Sequence, residues 1–134
     1  MIDKTVHKAF IQGINGCVEH NVAMEEMIRH AKLKRKTLHI AFFDLADVFG
    51  SVPHELLYHE MKRAHVPRQI QCYVEKFYDN LESQVVTKNY KSCLFSFKRG
   101  VMTGDPMSPI CFQLAFQPIL SFLKNEEEKY GYDL

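Results

Sequence analysis

An aspartate that closes an apolar run is the first residue in this chain with chemistry within reach. Thr37–Leu45 reads TLHIAFFDL, dense in apolar side chains, and its one acid is Asp44. A carboxylate at the exposed end of such a segment is costly unless something uses it, and a hard metal ion is one user. The plainer alternative is an aspartate that starts a turn. Five residues further stands Phe49, flanked by Val48 and Gly50. A metal-binding acid with a flat ring one bend away could hold a sugar between metal and ring. Equally, Phe49 could be core and nothing more.

A second stretch, GVMTGDPMSPICF from Gly100 to Phe112, crowds turn-forming and helix-starting residues into a few positions. Gly100 and Gly104 permit conformations and close approaches that a side chain forbids. Asp105 suits a helix N-cap and Pro106 the first helical position. That combination presents a helix N-terminus and bare backbone, a surface for an anion or for a flat base or sugar. An ordinary strand-to-helix connection would need only one of the glycines.

These residues need elements to position them. Val18, Val22, Met24, Met27, Ile28 and Ala31 mark an amphipathic helix after the loop GINGC. Lys32, Lys34, Arg35 and Lys36 end that helix, where positive charge suits its dipole. TLHIAFFDL then reads as a strand buried on both faces. Pro53 opens a short helix through HELLYHEMKRA, Val66-Pro67 breaks it, and RQIQCYVEKFYDNL forms the next. SQVVTKN and SCLFSFKRG read as a hairpin with Asn89 in its connection. Ile110–Leu123 is a helix apolar on most sides, hence expected to be buried, with Pro118 bending it. The fold class expected is α+β in a single domain.

Composition bounds the rest. The chain has 134 residues, 46% hydrophobic and 25% charged, which excludes a disordered chain. A net charge of +1 does not by itself mark a nucleic-acid binder. Cys17, Cys72, Cys93 and Cys111 lie far apart among apolar residues and read as reduced core thiols of an intracellular protein. Cys17 and His20 have half of a zinc spacing, with no second pair to complete it. No signal peptide or membrane-length apolar run is present, so no membrane partner is expected.

FFDLADVFGSVPHELL and GVMTGDPMSPICF, in that order, resemble motifs A and B of reverse transcriptases. The resemblance is strongest to non-long-terminal-repeat retrotransposons of the restriction-like-endonuclease branch that inserts into ribosomal DNA. KAFIQGINGCVEHN also resembles the stretch before motif A in that branch. The resemblance implies a partial right-hand polymerase fold, fingers and first half of the palm, with the thumb absent. It divides the chain into a fingers-side segment (1–36), palm with motif A (37–66), a fingers-side helix and hairpin (67–99), and motif B with a palm helix (100–134). It implies template-directed DNA synthesis with two Mg2+ ions, an RNA template, a DNA primer and deoxynucleotides. By the same resemblance Asp44 is the catalytic metal ligand and the Leu45 carbonyl a backbone ligand. Phe49, with Val48 beside it, is the gate against a ribose 2′-hydroxyl. Thr103, Gly104 and Asp105 lie against the nucleotide.

The chain departs from the family pattern in three places. Val48 stands where most members have alanine, Thr103 where most have glutamine, and Gly50 where the wider family has an acid. The family's Tyr-x-Asp-Asp motif is not in these residues, and Tyr130–Leu134 resembles the strand that precedes it. The segment alone is therefore expected to be inactive. A co-opted remnant that binds nucleic acid without catalysis is the alternative, with Lys32–Lys36, Lys62, Arg63 and Arg68 available for phosphates. A non-functional, poorly folded remnant whose apolar helix drives association is a third reading. KLKRK also fits a nuclear localisation patch, so nuclear and cytoplasmic residence is expected. The oligomeric state is not legible.

Overall fold

Two prolines define the helical hairpin that supplies half of the core cluster. The computed structural model describes Lys8 and residues 13–132. In chain order the elements are α1 (Gly16–Lys34), α2 (His54–Arg63), α3 (Arg68–Asp79), β1 (Glu82–Ser83), β2 (Phe95–Ser96), α4 (Ser108–Asn125) and α5 (Glu127–Tyr130). Pro53 is the residue just before α2, and its carbonyl accepts the Leu57 N–H at 3.2 Å. α2 ends where His65 turns left-handed at φ 54° and the Val66 N–H returns to the Met61 carbonyl at 3.0 Å. This is the reversed last turn that satisfies orphan carbonyls. Pro67 then starts α3, and Gln71 anchors the join with its side-chain amide on the Val66 carbonyl at 2.6 Å.

The described residues divide into two compact units, Ala46–Ala115 and a second formed by those up to Leu45 together with those from Phe116 on. In the first, Leu57 and Met61 of α2 face Val74 and Tyr78 of α3, and Val52, Val101, Cys111 and Ala115 complete the core. The helical spacing of these side chains puts them on one face of each helix. Leu57, wholly inaccessible to solvent, contributes about 1.5–3 kcal/mol by burial. In the second unit α1 closes with Arg35 left-handed at φ 53° and the Lys36 N–H on the Ala31 carbonyl at 2.9 Å. Among the described residues no helix is long and apolar enough to cross a membrane.

The α+β composition is present as helices with one small antiparallel sheet. The expected hairpin pairs Glu82 with Ser96 and Ser83 with Phe95, and Val86 bridges to Lys91. Two residues separate these pairings on one side and three on the other, a bulge that keeps the strands short.

Four expectations are corrected. Thr37–Leu45 is not a strand: it has no regular structure, and Ile40, Phe42, Phe43 and Leu45 are exposed. A strand buried on both faces needs a ladder on each side, and no described segment provides one. α4 is not buried as a whole: Ile110, Ile119, Phe122 and Leu123 are exposed, whereas Ser108, Cys111, Gln113 and Ala115 are buried. Of the cysteines only Cys111 is buried, whereas Cys17 and Cys93 are exposed. Tyr130 ends a helix rather than entering a strand, and Asp133 and Leu134 lie outside the described residues.

Candidate functional site

The turn after Asp44 and the loop that begins at Gly100 meet backbone to backbone. Ala46–Ser51 is a tight turn in which Asp47 is left-handed at φ 48°, an uncommon conformation for a residue with a side chain. The Asp47 side chain stabilises that turn by accepting the Gly50 N–H at 3.2 Å, and the Ser51 N–H reaches the Asp47 carbonyl at 2.9 Å. The Gly100 N–H donates to the Val52 carbonyl and the Val101 N–H to the Phe49 carbonyl, both at 2.7 Å. Gly100 sits at φ 95°, and a Cβ there would stand 2.9 Å from both the Cα and the carbonyl oxygen of Gly50. Glycine is required at 100 on two counts, conformation and contact.

Beyond this root the loop turns through Met102–Asp105. The Asp105 N–H closes on the Met102 carbonyl at 3.3 Å, and Gly104 has φ 92°. Gly104 occupies the third position of the turn, where a type II turn needs positive φ. Among the described residues, its chain neighbours aside, no atom lies within 4 Å of where its Cβ would be, so this face of the loop is open. A cleft of about 500 Å³ runs along the junction, lined by Asp47, Gly50, Arg99, Gly100 and Thr103, with Leu81 and Phe97 among its apolar walls. Arg99, one of the lining residues, has no ion-pair partner among the described residues.

Asp105 does not cap the helix. The first helical turn bond runs from the Cys111 N–H to the Met107 carbonyl, so α4 starts at Ser108. Asp105 instead closes the preceding turn: its carbonyl accepts the Ser108 N–H at 3.2 Å and its carboxylate the Ser108 hydroxyl at 3.3 Å. Pro106 therefore lies in the turn rather than at the first helical position. Under the loop the Tyr78 hydroxyl lies close to Ser108, Cys111 and the Met102 backbone without completing a well-formed hydrogen bond. Burial pushes the Tyr78 phenol up. Burial also pushes the Cys111 thiol up to about 11, which keeps it protonated and unreactive.

The residues singled out by sequence are distributed over both units. Val48, Phe49, Thr103, Gly104 and Asp105 belong to the first. There Phe49 is half-buried and packs on Phe112 with ring centroids 5.4 Å apart, while Val48 is half-buried beside it in the chain. Thr103 and Gly104 are exposed. Asp44 and Leu45 belong to the second unit, both exposed. Among the described residues no three His, Cys, Asp or Glu side chains gather as a metal cage would. The Asp44 carboxylate and Leu45 carbonyl are hard oxygen donors of the kind magnesium takes, two of the six it needs. Three contributors escaped the sequence reading: Asp47, Arg99 and His54, whose Nε2 lies 2.8 Å from the Gly100 carbonyl. A Pro-His pair directly after the turn was the available signal for the last.

The family model described as reverse transcriptase (RNA-dependent DNA polymerase) matches residues 1–132. The chain is 30% identical over 116 residues to the Retrovirus-related Pol polyprotein from type-1 retrotransposable element R2 of Nasonia vitripennis, covering 87% of this chain and 11% of that protein. It is 37% identical over 107 residues to the corresponding R2 polyprotein of Bradysia coprophila, covering 79% and 12%. With the type-2 element R2DM polyprotein of Drosophila melanogaster it shares 28% over 112 residues, covering 84% and 11%. The chain thus spans only about a tenth of the length of these relatives. No solved structure matches it. The chain belongs to the reverse transcriptase family, as a part of that domain homologous to the Pol polyproteins of R2 non-long-terminal-repeat retrotransposons.

Proposed function

We propose that this chain is the nucleotide-receiving part of an RNA-directed DNA polymerase, with fingers and first-palm segments that serve template-directed deoxynucleotidyl transfer in a longer protein. The observation that carries the reading is the junction at Gly50 and Gly100. Two motifs far apart in sequence are joined there by paired 2.7 Å bonds, and a loop with an open glycine face projects beside a cleft. Bare backbone at that place lets a flat base or sugar approach closely. Phe49 would present its exposed edge to the sugar and exclude a 2′-hydroxyl, while Phe112 holds the other side of the ring. Arg99 would take a phosphate.

Magnesium fits the donors present in kind but not in number. Asp44 and the Leu45 carbonyl would hold one ion, and substrate phosphates and water ordinarily complete such a sphere. When bound, magnesium neutralises charge on the phosphates during transfer. The RNA template, DNA primer and deoxynucleotides are the partners of this reading. Because one carboxylate cannot hold two ions in working geometry, these 134 residues alone are expected to give no primer extension.

The test is an exchange of this segment into a full-length R2 polyprotein, followed by primer extension on an RNA template. Extension that is abolished by Asp44→Asn supports the reading. Extension undiminished by Asp44→Asn would sink it. The second reading, a nucleic-acid-holding remnant without catalysis, is favoured by the exposed run Lys32–Lys36. It predicts salt-dependent binding of an RNA–DNA hybrid by the chain alone, lost when those four cations are replaced.

A further inference from the structure

We propose that His54 is a positioning residue that fixes the root of the nucleotide-facing loop. His54 is the first residue of α2, one turn of chain past the Ala46–Ser51 turn. Its ring packs near two tyrosines, with centroids 4.9 Å from Tyr78 and 6.2 Å from Tyr58 and tilts of 33° and 35°. Its Nε2 stands 2.8 Å from the Gly100 carbonyl. A carbonyl only accepts, so Nε2 carries the proton and donates it. The Gly100 N–H meanwhile donates to Val52 at 2.7 Å. Both backbone polar groups of the buried Gly100 are therefore held by the short segment from Val52 to His54.

This clamp has a direct consequence for the loop. Gly100 and Val101 are buried and bonded, whereas Met102, Thr103 and Gly104 are exposed and leave the core from that root. Where the root sits decides where Thr103 and Gly104 project. Histidine meets three demands at once: short reach from a first helical turn, a flat ring to pack near Tyr58 and Tyr78, and a donor at its tip. Phenylalanine keeps the flat ring and loses the donor, which leaves a buried carbonyl unpartnered. Glutamine loses the ring and restores a donor at similar reach.

The clamp itself is independent of the polymerase reading, and only its effect on nucleotide binding rests on it. The experiment separates the two. In the 134-residue chain, the His54 Nε2 proton should be visible by nitrogen-15 NMR and coupled across the hydrogen bond to the Gly100 carbonyl. Exchange of the Gly100 and Val101 amides should quicken about tenfold in His54→Phe, while His54→Gln stays within about threefold of the parent. In the R2 chimera, His54→Phe should raise KM for the incoming deoxynucleotide about tenfold with kcat within about threefold, and His54→Gln should rescue it. An unprotonated or uncoupled Nε2 in the parent overturns the clamp, even if His54→Phe does not fold. Unchanged exchange in His54→Phe overturns it too, as does equal loss in His54→Gln. If exchange responds as expected and the parent chimera makes no DNA, the clamp stands and the polymerase reading falls.

Discussion

Replacing Gly100 with alanine should destabilise the chain far more than the same change at Gly104, although both glycines have nearly the same φ, 95° and 92°. The left-handed conformation costs an L-residue about 1–2 kcal/mol at either position. At Gly104 that is the whole cost, since nothing lies within 4 Å of the new methyl. At Gly100 the methyl would stand 2.9 Å from Gly50 Cα and oxygen, both backbone atoms without a rotamer to move into. Relief requires the two segments to part, which stretches the 2.7 Å bonds from Gly100 to Val52 and from Val101 to Phe49. Each bond contributes about 0.5–1.5 kcal/mol, so Gly100→Ala should cost about 2–5 kcal/mol in total. Urea unfolding followed by far-ultraviolet circular dichroism measures the difference. With a slope of about 2 kcal/mol per molar, the midpoint should fall about 1–2.5 M for Gly100→Ala and about 0.5–1 M for Gly104→Ala. Equal shifts for the two variants would refute the close approach at Gly50.

Other outcomes follow from the same contacts. Leu57→Ala, at a fully buried site, should cost about 2–5 kcal/mol in the same urea assay. Asp44→Asn, at an exposed site, should leave stability within about 0.5 kcal/mol while ending DNA synthesis by the R2 chimera. Phe49→Ala should raise ribonucleotide incorporation by the chimera. Val48→Ala alongside it separates the ring's share from the valine's, and unchanged sugar choice in both single and double variants would make Phe49 core packing alone. Burial, together with Asp79, pushes the Tyr58 phenol up to about 12. Because the folded value lies above the unfolded one, its contribution is complete below about pH 10 and is lost as pH rises toward 12. Tyr58→Phe should therefore show a smaller fall in urea midpoint between pH 9 and pH 11.5 than the parent.

The helices were legible in the sequence because their signals are local. Pro53, Pro67 and the spacing of Leu57, Met61, Val74 and Tyr78 act within a turn or two, and α2 and α3 formed close to where they were expected. The segment Thr37–Leu45 was misread because its apolar density reports what could cover it and not what does. Strand formation depends on neighbours far away in the chain. Asp105 was misread at closer range: Gly-Asp-Pro fits a helix cap and a preceding turn equally well, and the Ser108 hydroxyl decided for the turn. In the candidate site, Gly100 announced a close approach, but only the folded chain named Gly50 as its partner. His54 carried almost no signal, since a histidine at a helix start has many uses.

The junction of Gly50 and Gly100 also limits how such a sequence can drift. Where two side chains touch, growth at one can be answered by shrinkage at the other. Here both positions are already the smallest residue, and the atoms in contact at Gly50 are backbone. No compensating change remains at either site. In a library randomised at positions 50, 100 and 103 and sorted for folding, position 100 should return glycine alone. Exposed Thr103 should return nearly any residue. Position 50 should tolerate only those variants in which the Asp47 carboxylate, which the new methyl would strike, swings away and gives up its bond to the backbone of residue 50. The order of tolerance, 103 over 50 over 100, is an inheritance rule set by what each new methyl meets: open space, a side chain that can move, and backbone that cannot.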